Sequence, residues 1–201
     1  TCKYVILILA MTSASNIFAQ QHSRYWEPYP ETVSKKGLQV ELVEDALALG
    51  IKHATLNVNL SQLVASHAES REIIQPSWIS HGKRFFFNTN YVARLDEKIR
   101  ALSDKEIVVH LIILVYKSGD AEINRILLHP GYDEAAPNRL GAFNTKTEDG
   151  RAWLIATMEF MAERWARPDQ KFGRVAGYIM GNEVNSHWWW SNRGRVTMEE
   201  F

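Results

Sequence analysis

Gly181-Asn182-Glu183 closes an apolar run of strand length, Val175 to Met180. A carboxylate and an amide at the C-terminal end of a buried strand stand where parallel α/β enzymes keep their reactive groups. Glu183 is a candidate general acid, a role open to a carboxyl group that burial keeps protonated near neutral pH. An ion pair with an arginine is the structural alternative. Asn182 is placed to hold a substrate hydroxyl or a partner carboxylate. In a regular strand Gly177, Ile179, Gly181 and Glu183 share one face and Tyr178, Met180 and Asn182 the other. His187-Trp188-Trp189-Trp190 follows at once. Indole faces suit the apolar faces of sugar rings, and they equally pack loops. Asn192 and Arg193 are near enough in sequence to reach the same cleft.

Other polar residues stand at expected strand ends. Asn57 and Asn59 offer amides to a hydroxyl-rich ligand, with capping of the turn at Ser61 as the alternative. Tyr116 ends another strand and is expected to face inward. His110, deeper on the same face, reads as a core histidine with its hydrogen bonds met. His129, Tyr132, Asp133, Arg139 and Asn144 lie in one long connection; they either fold it over the cleft or brace it internally, Arg139 against Asp133. Glu183 and His187 invite a metal reading, but no His-Glu-x-x-His pattern accompanies them, so no metal and no cofactor is expected. No glycine-rich phosphate loop and no nucleophile elbow follows a strand.

These residues need elements to hold them. Leu38, Leu42, Ala46 and Leu49 have helical spacing, with Gly50 as a left-handed stop. Ile51 to Leu60 alternates as a strand. Ser61 to Trp78 is a polar excursion. Phe85-Phe86-Phe87 leaves a tight turn at His81-Gly82. Asn88 or Asn90 caps a helix whose Val92, Leu95, Ile99 and Leu102 form one apolar face. Ile107 to Tyr116 reads as a strand covered on both faces. Lys117 to Lys146 reads as a long loop. Thr145 with Glu148, or Thr147 alone, caps a helix with the stripe Leu154, Met158, Met161 and Trp165, Trp153 and Phe160 beside it, and Arg167-Pro168-Asp169 ends it. The alternation predicts an α/β fold with a parallel sheet. A closed eight-fold barrel takes about 250 residues, so the chain has room for about half of a (β/α)8 TIM-type barrel, a fragment. Thr197-Met198-Glu199-Glu200 is a capping-box pattern that starts one further helix.

The chain carries 23 Lys and Arg against 23 Asp and Glu, a balance that argues against an electrostatic nucleic-acid binder. Lys3, the apolar run Tyr4 to Met11 and the small residues up to Ala19 read as a secretory leader, residues 1–19. That predicts an exported protein, secreted or periplasmic, with no stable membrane anchor once the leader is cleaved. Its single cysteine, Cys2, would leave with the leader. Residues 20–36, with Pro28 and Pro30, read as a linker; residues 37–201 form the domain.

Gly181-Asn182-Glu183 after its apolar strand resembles the end of the fourth strand in the clan-A glycoside hydrolases. Phe87-Asn88, then Tyr91 to Asp96, then the Ile107 strand are similar to the hairpin, second helix and third strand of that clan. Leu56 to Asn59, His129 to Tyr132, Arg139 to Asn144 and Gly181 to Trp190 resemble, more closely, an uncharacterised bacterial domain family of the same barrel type. The clan resemblance implies the N-terminal half of a (β/α)8 TIM-type barrel, a carbohydrate substrate, retaining hydrolysis and Glu183 as the acid/base, with a nucleophile from a seventh strand that nothing here matches. It therefore implies that this stretch alone is inactive. A carbohydrate-binding barrel without catalysis is the alternative, and a barrel whose lip is occupied by a partner protein is the third.

Overall fold

The computed structural model describes residues 28–65 and 76–201. The expected leader with Cys2, and the start of the expected linker, lie outside the described residues. No helix among the described residues is long and apolar enough to cross a membrane.

The frame is a mixed α/β sheet. Strands β1 (Gly37–Gln39), β2 (His53–Asn59), β5 (Val108–Tyr116) and β7 (Gly177–Met180) lie side by side in chain order, all parallel. β5 sits at the centre. Its apolar run pairs with β2 over its whole working length and with β7 from His110 to Ile113. Past the end of β7, the short β6 (Leu140–Gly141) pairs antiparallel with Val115 and Tyr116. A two-stranded hairpin, β3 (Ser77–Ser80) and β4 (Lys83–Phe86), stands apart from this sheet. His81 and Gly82 join its strands with φ of 47° and 78°, the left-handed pair that a two-residue hairpin turn needs.

The helices are α1 (Val43–Ala48), α2 (Leu60–Leu63), α3 (Thr89–Ser103), α4 (Ala121–Leu127), α5 (Glu148–Trp165) and α6 (His187–Trp190). α3 starts where expected: the Asn88 side chain accepts from Tyr91 N–H. Its Val92, Leu95, Ile99 and Leu102 are all buried. Thr147 caps α5 by accepting from Gly150 N–H. Ala54, Leu56 and Val58 of β2 and Val109, Leu111 and Ile113 of β5 join these helices in one apolar cluster. The alternate residues of the same strands are absent from that cluster. Asn57 is exposed, His110 and Ile112 are half-buried, and Ile179 is 44 % exposed. Parallel strands are ordinarily covered on both faces; here helices gather on one face and the other lies largely open.

Five expectations change. The helix expected from Leu38 to Leu49 is only α1, because Leu38 is in β1, paired with Ala54. A ladder to β2 satisfies that backbone, and tertiary pairing overrides the local period. The connection from Lys117 to Lys146 is not a bare loop but holds α4, capped by Asp120, and β6. The buried face of α5 is Trp153, Ala156, Thr157, Phe160, Met161 and Trp165, while Leu154 and Met158 are half-buried. The face is set by the hairpin: Phe85 meets Trp153 edge-on at 4.8 Å, and Phe87 stacks on Phe160 at 4.0 Å. His110 is not a core residue but lies on the open face, where a side chain at Gly177 would meet its ring. The end of the expected linker is also tied down, since Tyr29 O–H donates to the Val175 carbonyl at 2.7 Å and the Arg174 guanidinium lies 3.6 Å from its ring centre.

Gly50 ends α1 as expected. Its N–H reaches the Leu47 carbonyl and Ile51 N–H reaches Ala46, at φ +65°. Glu106 holds the equivalent place after α3, with Glu106 N–H on Ser103 and Ile107 N–H on Leu102, at φ 57°. A glutamate pays the left-handed penalty there that glycine avoids. Glu106→Gly is therefore expected to stabilise the fold by about 0.5–1 kcal/mol, read as a raised midpoint in urea unfolding; an unchanged or lowered midpoint would show that the turn carries no such cost.

Candidate functional site

β7 ends at Met180, level with Ile113 of β5, and Gly181 N–H still reaches the Ile113 carbonyl. The chain then turns. Gly181 has φ +80° and Glu183 has φ 43°, ψ 52°. The alternation expected to run to Glu183 therefore breaks at Gly181, and Glu183 does not continue the face of Ile179. Its carbonyl accepts from Ser186 N–H at 2.7 Å and starts a single 3₁₀ turn, Val184–Ser186. The Glu183 side chain is exposed. It makes no hydrogen bond or ion pair among the described residues, so the structural alternative of an arginine pair is not met.

Four non-glycine residues among those described are left-handed: His81, Glu106, Gln170 and Glu183. His81 is in the hairpin turn and Glu106 in a helix stop. Gln170 lies between two hydrogen-bonded turns, Arg167 to Gln170 and Gln170 to Gly173. Glu183 has no such reason, because a residue that precedes a helical turn is ordinarily extended.

α6 presents the three tryptophans differently. Trp188 is a brace: its indole N–H donates to Asp133 Oδ2 at 2.9 Å, and the Arg195 guanidinium lies over its ring at 3.9 Å. Trp189 and Trp190 are 51 % and 37 % exposed, with Trp189 edge-on to Trp188 at 5.4 Å. Trp189 and Trp190 are thus free to meet a ligand. His187 packs against the Phe201 ring at 5.2 Å. Thr197 and Glu200 form the expected capping box: Thr197 N–H donates to Glu200 Oε2 at 2.9 Å, and Glu200 N–H to Thr197 Oγ1 at 3.3 Å.

The long connection is moored to this segment by Asn192, which is fully buried. Its Oδ1 accepts from Asp133 N–H and Gly194 N–H, and its Nδ2 donates to the Asp133 carbonyl at 2.8 Å. Its main chain bridges to Leu140 and Ala142. Asn192 is therefore a mooring residue rather than a cleft residue. The brace expected between Arg139 and Asp133 is replaced by Trp188 and Asp133. The Trp188 indole N–H first, then Ala135 N–H, hold the Asp133 carboxyl below the usual carboxylate range. Burial first, then Arg193 and Lys146, push His129 below its ordinary value. Its Nδ1 accepts from Gly131 N–H at 3.0 Å. Asn144 is buried and structural, binding the Arg125 carbonyl and Thr147 at the start of α5.

The expected residues are only partly brought together. Asn59 caps α2 by accepting from Ser61 N–H, the alternative role foreseen for it. Asn57 lies on the open face and accepts from Gln39 Nε2 at 3.0 Å. The register places Asn59 beside Leu114, one residue past the Ile113–Met180 pair, so Gly181 is about two strand spacings, roughly 10 Å, from Asn59. Tyr116 shares the open face by alternation with His110, and its carbonyl accepts from the Ser61 hydroxyl at 2.5 Å. Among the described residues no three of His, Cys, Asp and Glu are grouped to hold a metal ion.

No curated protein and no solved structure matches the chain. A family of unknown function (DUF5722) matches it over residues 28–201, which covers the sheet, the lip and the tryptophan segment alike. The chain belongs to that family of unknown function, DUF5722.

Proposed function

We propose that this domain is the N-terminal half of a (β/α)8 barrel of glycoside-hydrolase type, that it engages a poly- or oligosaccharide, and that Glu183 is its acid/base. One observation carries the reading: Glu183, at the end of the fourth parallel strand, is left-handed with no cap or hairpin that requires it. Such backbone strain costs about 1–3 kcal/mol and concentrates at functional sites. The strand order supports the barrel, since four parallel strands in chain order with helices on one face are what a (β/α)8 sheet contains. The open face is then the barrel interior. Trp189 and Trp190, exposed just beyond Glu183, are the stacking surfaces for sugar rings.

In retaining hydrolysis Glu183 gives its proton to the glycosidic oxygen while a second carboxylate, about 5 Å away, attacks the anomeric carbon. Glu183 then takes a proton from the water that releases the sugar. The nucleophile belongs on a seventh strand, so residues 28–201 by themselves are expected not to turn over substrate.

Two variants test this. Glu183→Gly removes both the strain and the carboxylate, so it is expected to raise the unfolding midpoint of this domain and, where the seventh-strand nucleophile is also present, to abolish hydrolysis, the mark of strain held for a task. In a protein that carries both Glu183 and the seventh-strand nucleophile, Glu183→Gln is expected to lower kcat/KM on aryl-glycosides about 100-fold. Turnover equal to that of the unaltered protein would remove Glu183 from the chemistry. The second reading is a carbohydrate-binding barrel without catalysis. The exposure of Glu183 favours it, because a general acid at neutral pH needs burial or a like charge beside it. In that case the unaltered protein shows no turnover either, and Trp189→Ala weakens sugar binding while Glu183→Gln does not.

A further inference from the structure

We propose a second small-molecule site, on the helix side of the sheet's C-terminal end, that takes a small hydroxylated monocarboxylate of the sugar-acid class. It does not rest on the role given to Glu183. The first turns of α2, α3 and α4 meet around a cleft of about 330 Å³, a size suited to a small ligand. Its wall is polar, with Ser61, Gln62, Tyr91, Arg94, Ser118 and Asp120 among the lining residues.

The charges on this wall are one of each sign. The Arg94 guanidinium lies 5.5 Å from the Tyr91 ring centre and has no ion-pair partner among the described residues. A guanidinium so placed binds a carboxylate through two parallel hydrogen bonds. Asp120 spends one oxygen, Oδ1, on the N–H groups of Glu122 and Ile123. Its Oδ2 is left to accept from a hydroxyl. The Tyr91 oxygen accepts from Asn59 N–H at 2.8 Å, and burial, the main cause, raises its pKa, so the phenol keeps a proton to donate. The Ser61 hydroxyl is spent as a donor on the Tyr116 carbonyl, so its oxygen can only accept. The Gln62 amide adds a donor and an acceptor.

This arrangement selects by charge count. A neutral sugar leaves Arg94 with nothing to pair. A phosphate dianion pairs with Arg94 but places extra negative charge in a cleft that Asp120 already lines. One carboxylate with several hydroxyls satisfies both ends, the acid on Arg94 and the hydroxyls on Asp120, Tyr91 and Ser61.

Calorimetric titration of the 201-residue chain with glucuronate, glucose, glucose 6-phosphate and alanine tests the site. Glucuronate is expected to bind saturably with Kd of about 1 mM or tighter, and more tightly than the other three. Arg94 is exposed, so Arg94→Gln keeps the fold and is expected to weaken glucuronate about tenfold or more. Asp120→Asn keeps the Oδ1 cap and is expected to narrow the preference over glucose 6-phosphate. Glu183→Gln is expected to change none of these affinities, which separates this site from the lip. The proposal is overturned by no saturable glucuronate binding, by equal binding in Arg94→Gln, or by tighter binding of glucose, glucose 6-phosphate or alanine.

Discussion

Replacing Asp96 by alanine is expected to cost about 2–4 kcal/mol of stability, somewhat less than the loss when one partner of a fully buried ion pair is removed. Asp96 on α3 receives two hydrogen bonds from Arg164 on α5, at 2.8 and 2.5 Å, and a third from the Trp165 indole at 3.0 Å. Both charged side chains are less than one-fifth exposed. The Arg164 head is also fixed over the Phe172 ring, 3.6 Å from its centre. Alanine would leave a buried indole N–H and a part-buried guanidinium without their acceptor, and the two longest helices would lose this polar link. Asp96→Asn keeps acceptor oxygen for Trp165 and is expected to cost less. Urea unfolding followed by tryptophan fluorescence measures both. A loss under about 1 kcal/mol for Asp96→Ala would place the pair with ordinary surface ion pairs.

Asn192→Ala is the second large effect, about 2–4 kcal/mol, because it strands the N–H groups of Asp133 and Gly194 and the Asp133 carbonyl at once. Its local consequence matters more than the total. Residues 129–139 lose their mooring, Asp133 slides from Trp188, and the base under Trp189 loosens. Hydrogen exchange and limited proteolysis in that segment are expected to rise while the α3–α5 core stays protected. Uniform change across the chain would show that Asn192 holds the whole fold and not this loop. Acid acts on the same contact. The Asp133 carboxyl is held low, so the unfolded chain takes up the proton first. The stability it contributes is complete above about pH 4 and is lost as the pH falls through its folded-state value.

Local signals were legible where local chemistry decides the backbone. Asn88 and Thr147 cap their helices, Gly50 stops one, His81-Gly82 turns a hairpin, and Thr197 with Glu200 closes a capping box. The central strand was legible because β5 is apolar on both faces. The misses are long-range. Leu38 has helical spacing, but its ladder partner is Ala54. The buried face of α5 turns toward Phe85 and Phe87, which no window along α5 contains. The α4 signal was present, with Asp120 ahead of Ile123, Ile126 and Leu127, but glycine and proline around it masked it. In the candidate site, the place of Glu183 and of the tryptophans after it was readable, but not which tryptophan packs and which are exposed. The left-handed backbone of Glu183 was not readable, and neither was the mooring by Asn192, whose partner is 59 positions away.

The hairpin has a consequence for how the chain is made. β2 and β5 each find a sheet partner in the strand synthesised just before them in the sheet, β1 and β2. The hairpin's aromatic cover, by contrast, is α5, and Trp78 finds its acceptor, Glu159, 81 residues later. At about 5–20 residues per second, the rings of Trp78, Phe85 and Phe87 stay uncovered on a nascent chain for roughly 4–16 s. The finished fold buries Phe85 and Phe87, so that interval is when these rings are open to aggregation.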